Sequence, residues 1–483
     1  MKRALSWRKR RRSIKLLAAA VIIASGIHTS TAHAQDTAQT RVVPAVPERP
    51  TILPNRRWDE DWSVLADPRL KREPLDDLKY LPFSRDHPRT YLSFGFNLRE
   101  RIEVDHAPLF GTLPDLRGEW LLSRLEVHAD LRLGDHVQVF AQLQSAFASG
   151  KKVLAPVDQD RLDVEQAFVG LKKPVRGARL TLRLGRQLLP VELQRFVSVR
   201  DGPNLRQAYD AAYADYQQGA WRATGAYARP VQIRDLRAFD DSSDGRLTVG
   251  GLLIRRRLLG SAQLAVDFIH YTRDAAVFTA VRGDERREII DLRFRGAANG
   301  FDWDVEAMNQ AGRIGSQDID AKAFGSSVGY TFADVGWTPR LSLGVDLATG
   351  DRNAQDNRLE TFNPLFPNGY YLAGYTGYPN LIHLKPAVMV RPTRPISLMF
   401  ALAGQWRETT ADAVYQFPGF PVGGTAGRPG RYTGAYGEIR GAWTITPHYS
   451  VAFDAVRYAI GDAIREAGGH DANYLGVELR YGW

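Results

Sequence analysis

The strongest constraint on this chain is a two-residue alternation sustained over unusually long stretches. In residues 91–104, Leu92, Phe94, Phe96, Leu98, Ile102 and Val104 share one face of a strand. Ser93, Asn97, Arg99, Arg101 and Glu103 share the other. The pattern returns in 120–133, where Leu121, Leu125, Val127, Leu131 and Leu133 oppose Arg124, Glu126, His128, Asp130 and Arg132. It returns again where Ile290, Leu292 and Phe294 oppose Asp291, Arg293 and Arg295, and where Ile439 and Trp443 oppose Glu438 and Arg440. A β-sandwich also alternates, but its strands run about 5–6 residues. Segments of about ten residues, apolar on one face and charged on the other, with Tyr and Trp near their ends, are the signature of a transmembrane barrel.

Eighteen such segments can be drawn: 91–104, 119–133, 136–147, 162–172, 178–187, 208–216, 220–229, 246–256, 262–272, 286–296, 300–309, 320–332, 338–348, 382–391, 396–406, 431–443, 448–458 and 471–482. An even number leaves both ends on the periplasmic side, and 16–18 strands enclose an aqueous lumen. The expected fold is therefore all-β: a transmembrane antiparallel β-barrel of about eighteen strands with a short N-terminal periplasmic arm. "LGDH", "KKPVRGA" and "ANG" read as tight turns. The stretches following Leu347 and Glu408, rich in Gly, Asn, Pro and aromatics, read as long extracellular loops over a pore mouth.

The N-terminus sets the compartment. Lys2, Arg3, Arg8, Lys9, Arg10, Arg11, Arg12 and Lys15 precede an apolar run, Leu16 to Ala24, and then Ala32-His33-Ala34. That order is a cleaved secretory signal over 1–34. Arg11-Arg12 also fits a twin-arginine signal, but paired arginines arise by chance in so basic a stretch. The formal charge of +10 invites a nucleic-acid reading. Removing the eight basic residues just named leaves 56 Lys and Arg against 54 Asp and Glu, a balance of +2, so no nucleic-acid partner is expected. Beyond residue 34 no apolar run approaches the ~20 residues of a spanning helix, and the chain has no cysteine. The expected division is signal peptide 1–34, proline-rich periplasmic arm 35–88, and outer-membrane barrel 89–483 of a Gram-negative bacterium. The lipid bilayer and lipopolysaccharide are the surrounding partners.

Enzymatic signatures are missing: no G-x-S-x-G elbow, no H-E-x-x-H helix, no cysteine nucleophile. His128 sits among Glu126 and Asp130 as a lumen histidine. Asp351, Asn353, Asp356 and Asn357 form a candidate structural calcium loop through oxygen ligands, without the full EF-hand spacing. No other cofactor is expected. By parity the lumen holds Arg99, Arg101, Arg124, Arg132, Arg183, Arg293, Arg295, Lys385, Arg440 and Arg480. It also holds Glu103, Glu126, Asp130, Asp267, Asp291, Asp302, Asp304, Glu306, Asp346, Glu438, Asp454 and Glu478. Each Arg can pair with an acid across a strand, or a subset can remain for an anionic solute, which the guanidinium fork suits.

Several blocks carry a family resemblance. "RWDEDWSVLADP", "LDDLKYLPF" and "YLSFGFNLRERIE" resemble the opening of the bacterial alginate-export outer-membrane family. "LDVEQAFVGL", "LRLGRQLLP", "RFVSVRDGPNLRQAYD" and "LATGDRNAQDNRLETFNPLFP" resemble its later blocks. The resemblance implies a monomeric eighteen-stranded channel that conducts a uronate polymer through an arginine-rich constriction, with Arg99, Arg101 and Arg186 as the carried-over positions. Passive export of an anionic, alginate-like polysaccharide is the leading expectation. A substrate-selective porin for small anionic or aromatic solutes is the alternative, and a barrel enzyme or surface adhesin is a third class. The closing segment "NYLGVELRYGW" places Glu478 and Arg480 in the lumen, Leu475, Val477 and Leu479 toward lipid, and an exposed Trp483 at the end. That tryptophan resembles the terminal aromatic read by the outer-membrane assembly machinery.

Overall fold

The computed structural model describes residues 47–112, 118–189, 195, 201–279 and 281–483. The expected signal segment and the first part of the arm lie outside them. Eighteen long strands carry the fold: β1 Tyr91–Asp105, β2 Gly118–Leu133, β3 Val137–Ser149, β4 Asp160–Val175, β5 Ala178–Gln187 and β6 Tyr209–Gln218. They continue as β7 Trp221–Gln232, β8 Leu247–Arg257, β9 Gln263–Phe278, β10 Val281–Ala298, β11 Phe301–Ile314 and β12 Gln317–Thr331. The last six are β13 Arg340–Ala348, β14 Leu381–Thr393, β15 Ile396–Arg407, β16 Tyr432–Thr444, β17 Tyr449–Ile460 and β18 Ala472–Gly482. Each pairs antiparallel with its sequence neighbours. β18 then returns to β1, with Arg99 opposite Arg480 and Arg101 opposite Glu478. Closure removes the free edge that an open sheet would present.

Alternation decides which way each column points. Ser93, Asn97 and Arg99 are buried in β1. On the other face, Val127, Val169, Leu184 and Leu402 stay exposed, as an apolar belt facing lipid must be. Trp221, Phe301, Tyr432, Trp443 and Tyr449 are exposed at strand ends, forming the aromatic girdle. One rim carries short turns, where Gly219 and Gly300 take φ of +56° and +83°, which a Cβ would strain. The long connections gather at the opposite rim.

Two expectations are corrected. The hairpin β9–β10 runs well past the expected 262–272 and 286–296, to Phe278 and from Val281, across a bulge between Arg273 and Ala276. Above the bilayer the ladder needs no lipid-facing alternation, so the apolar period fades there while the backbone pairing continues. Trp483 is not exposed. Its ring packs 5.7 Å from Phe96 and its backbone exchanges hydrogen bonds with Phe96 at 2.8 and 2.9 Å. Lys79 lies between the Trp483 and Trp62 rings, 4.3 and 4.8 Å from their centroids.

Candidate functional site

Among the described residues, three of the segments that enter the lumen decide what the wall arginines do. The first is the connection between β5 and β6. Its described residues 201–206 lie against β1, β2 and β18. Arg99 donates to the carbonyls of Asp201 and Pro203 at 2.9 and 3.0 Å, Arg101 to Gly202 at 3.1 Å, and Arg124 to Asn204 at 3.1 Å. The Asp201 carboxylate meets Arg124 and Arg480, each at 2.8 Å. Burial alone would raise the pKa of Asp201, but Arg480 and Arg124, backed by Arg206 and Arg99, hold it well below the usual carboxylate range. Asn204 Nδ2 donates to the carbonyls of Ser123, Phe147 and Asp158. Arg206 is fully buried on Glu126 and on both oxygens of Glu165.

The same connection reaches the far wall through Arg195. Glu306, Gly325 and Asp346 stand side by side on β11, β12 and β13. A Cβ on Gly325 would fall 2.3 Å from Arg195 Cδ, so the glycine opens a slot between two acids. Arg195 fills it, paired to Asp346 and 3.9 Å from Glu306, with its guanidinium 4.3 Å above Tyr371.

The second segment is the β13–β14 connection, which descends into the barrel rather than covering its mouth. Phe362, Phe366, Leu372 and Tyr378 pack with lumen-facing Ile269, Ile289 and Met308. Tyr375 donates to Asp105 at 3.0 Å, and Gln310 holds Asn363 through both its backbone N–H and carbonyl.

The third is the arm. Trp58 stands edge-on to Phe140 and Phe168, 6.1 Å from each, with Arg183 5.2 Å away on the wall. Arg132 and Gln138 donate to the Trp58 carbonyl at 2.8 Å. Arg57 reaches the Trp483 carbonyl at 2.5 Å past Gly95, where a Cβ would come within 2.6 Å of the guanidinium.

What these segments leave open is a cavity of about 580 Å³ bounded by Arg101, Arg440 and Arg480 and by Glu103, Asp105, Asp201, Asp454 and Glu478. Met389 and Met399 join it from the wall, and Phe417, Pro367 and Tyr375 from the loops. The bases are held in place. Arg101 lies 2.9 Å from Glu103 and bonds Tyr474. Arg440 pairs with Asp454 at 3.0 Å and with Glu438, and Arg480 with Asp201 and Glu478. Three guanidiniums against five carboxylates do not make a cationic track.

The sequence-derived candidates therefore separate. Arg101, Arg440 and Arg480 border the cavity. Arg99, Arg124 and Glu126 are spent on the inward loop, and Asp130 and Arg132 on each other and, through Arg132, on the arm. Arg293 pairs with Asp304 at 2.7 Å and Arg295 with Gln263 at 2.9 Å, elsewhere on the wall. Arg186 is a correction. It stands opposite Ala167 and Asp210, on the face away from buried Phe168 and Arg183, and pairs with Asp210 at 3.0 Å. Arg186 is three positions after Arg183, so a period of two puts them on opposite faces. His128 stacks on Phe140 with centroids 5.5 Å apart. Asp351 and Asp356 accept hydrogen bonds from the N–H groups of Asn353 and Arg358. Arg195, Asp201, Arg206, Tyr375 and Met399 were not singled out as lumen residues, although the first three fall in the quoted "RFVSVRDGPNLRQAYD" block.

The family model described as alginate export matches residues 90–478. Solved structures with the same fold include Acinetobacter baumannii OccAB1, at 10% identity, TM-score 0.59, covering 84% of this chain and 99% of that one. A BenF-like porin of Pseudomonas fluorescens matches at 10% identity and TM-score 0.55, over 81% of this chain and 99% of its own. Pseudomonas aeruginosa OpdK, solved with vanillate, matches at 10% identity and TM-score 0.54, over 81% and 98%. A search of the curated proteins finds no match.

Proposed function

The chain belongs to the alginate export family of outer-membrane channels, and from that premise we propose that it passively conducts small organic acids with an apolar or aromatic body. The cavity carries this reading. Its volume of about 580 Å³ suits one small solute, and it sets Arg101, Arg440 and Arg480 beside Met389, Met399 and Phe417. A solute carboxylate takes its turn at a guanidinium already oriented by wall acids, while its body slides along the thioether and aromatic surface. Contacts of this strength admit a solute and release it. OpdK, a neighbour in fold, was solved with vanillate, an acid of this shape.

Export of an acidic, alginate-like polysaccharide is the second reading, and the family match favours it. It requires a run of guanidiniums open to successive uronates, whereas Arg99 and Arg124 face the inward loop. Planar-bilayer recordings separate the two. Small aromatic carboxylates are expected to block the current at millimolar concentration, with oligouronates ineffective. Arg440→Gln is expected to weaken that block about tenfold, the ~1.4 kcal/mol of one charge-assisted contact. Block by oligouronate alone would replace the first reading with the second, and a silent channel would remove both.

We further propose that Trp483 serves barrel assembly, by fastening the end of β18 to β1 through Phe96. Deleting it leaves Phe96 without its backbone partners and Lys79 without one of its two flanking rings. The expected outcome is normal delivery to the periplasm with little folded barrel in the membrane, scored by heat-modifiable gel mobility. Trp483→Phe is expected to restore assembly.

A further inference from the structure

We propose that Asp160, Asp163 and Asp241 form a binding site for a hard divalent cation, calcium foremost, at the long-loop rim of the barrel. One carboxylate oxygen from each lies within 4.8 Å of the others. Asp160 is fully buried, and neither of its carboxylate oxygens has a hydrogen-bond partner. A buried carboxylate with nothing to accept from is costly unless a cation serves it.

Local backbone explains the convergence. Along β3 and β4, Asp160 stands opposite Ala146 and Asp163 opposite Gln144, with register shifts at this end of the ladder. Three residues of β4 thus span two of β3, and the bulge turns both carboxylates to one side. The third comes from the β7–β8 connection. Asp241 N–H donates to Asp163 at 2.9 Å, and the same segment is fastened to β4 by Phe239 N–H on the Leu162 carbonyl and by Arg161 on Asp235.

Charge points the same way. Arg186 lies 3.6 Å from Asp163, but its guanidinium also answers Asp210 at 3.0 Å and the Asp241 carbonyl at 3.3 Å. One arginine among four aspartates leaves an excess that a dication offsets. Oxygen-only donors select calcium or magnesium over softer metals, and extracellular calcium modules bind at about 10⁻⁴–10⁻³ M. Occupancy would pin the β7–β8 connection to the rim of β4.

Isothermal titration of the refolded full-length barrel in lipopolysaccharide-free detergent, with calcium chloride and then magnesium chloride, tests this. The expected result is one calcium site in that range, weakened at least tenfold in Asp160→Asn and Asp241→Asn and unchanged in Asp351→Asn. Tighter magnesium binding would reassign the ion within the same class. A folding-independent readout uses the unaltered chain: calcium should slow tryptic cleavage after Arg234 and Arg237. The proposal is overturned if wild type shows no binding, if Asp160→Asn binds as wild type does, or if calcium leaves that cleavage unchanged.

Discussion

Replacing Arg206 with methionine is expected to destabilise the folded barrel by about 3–5 kcal/mol, the penalty for removing one partner of a buried ion cluster. Arg206 is fully buried and serves two carboxylates at once, Glu126 on β2 and Glu165 on β4. Its remaining donor reaches the arm at the Pro54 carbonyl, 3.2 Å, and Asn55 Oδ1, 2.7 Å. Burial alone would lower the pKa of this guanidinium, yet Glu126, Glu165 and Asp201 hold it above the ordinary arginine value. Methionine fills much of the volume but leaves Glu165 without its paired cation and Glu126 with Arg124 alone, 3.1 Å away. Urea unfolding in detergent, followed by tryptophan fluorescence, reads the loss. Glu126→Gln and Glu165→Gln in the Arg206→Met background are expected to recover most of it, because the negative charge that Arg206 balanced goes too. A loss under 1 kcal/mol in the single variant would mean that water solvates the cluster as at a surface pair.

The wall of this barrel was legible in its sequence, and the contents of the lumen were not. Long period-two segments specify strands, and a one-residue slip would invert every face, so the columns through Arg99, Arg101, Glu478 and Arg480 could be drawn from residue spacing alone. Parity could also have kept Arg186 out of the lumen, since it is three residues from Arg183. What spacing cannot show is who meets those side chains. Arg99, Arg101 and Arg124 bind backbone carbonyls of 201–204, and a carbonyl leaves no mark in a sequence. The Arg195 slot is similar: its wall signature is one glycine, Gly325, between acids on neighbouring strands. The inward course of the β13–β14 connection rests on Phe362, Phe366 and Tyr378. Their apolar character reads equally well as a mouth-covering loop until the lumen-facing Ile289 and Met308 are placed beside them.

Those carbonyl contacts make the second large prediction. Residues 201–206 are held against the wall by charge-assisted hydrogen bonds, each worth about 1.5–3 kcal/mol. Arg99→Gln with Arg124→Gln removes the donors to Asp201, Pro203 and Asn204 and one of the two side-chain partners of Asp201. Losing these four contacts shifts the seated–released balance by at least about a hundredfold. Single-channel conductance is therefore expected to rise, with added current noise as the loop leaves its seat, while Arg440→Gln leaves the conductance near wild type. Acid should not imitate this effect. The folded pKa of Asp201 is depressed, so its stabilisation is complete above the ordinary carboxylate value of about 3.9 and is lost only as pH falls through the depressed one. Wild-type conductance should accordingly hold steady from pH 7 to about pH 4. A double variant that conducts as wild type does would show that Asn204 and Arg206 seat the loop unaided. A wild-type channel that opens near pH 5 would show that Asp201 does not hold the loop through Arg124 and Arg480.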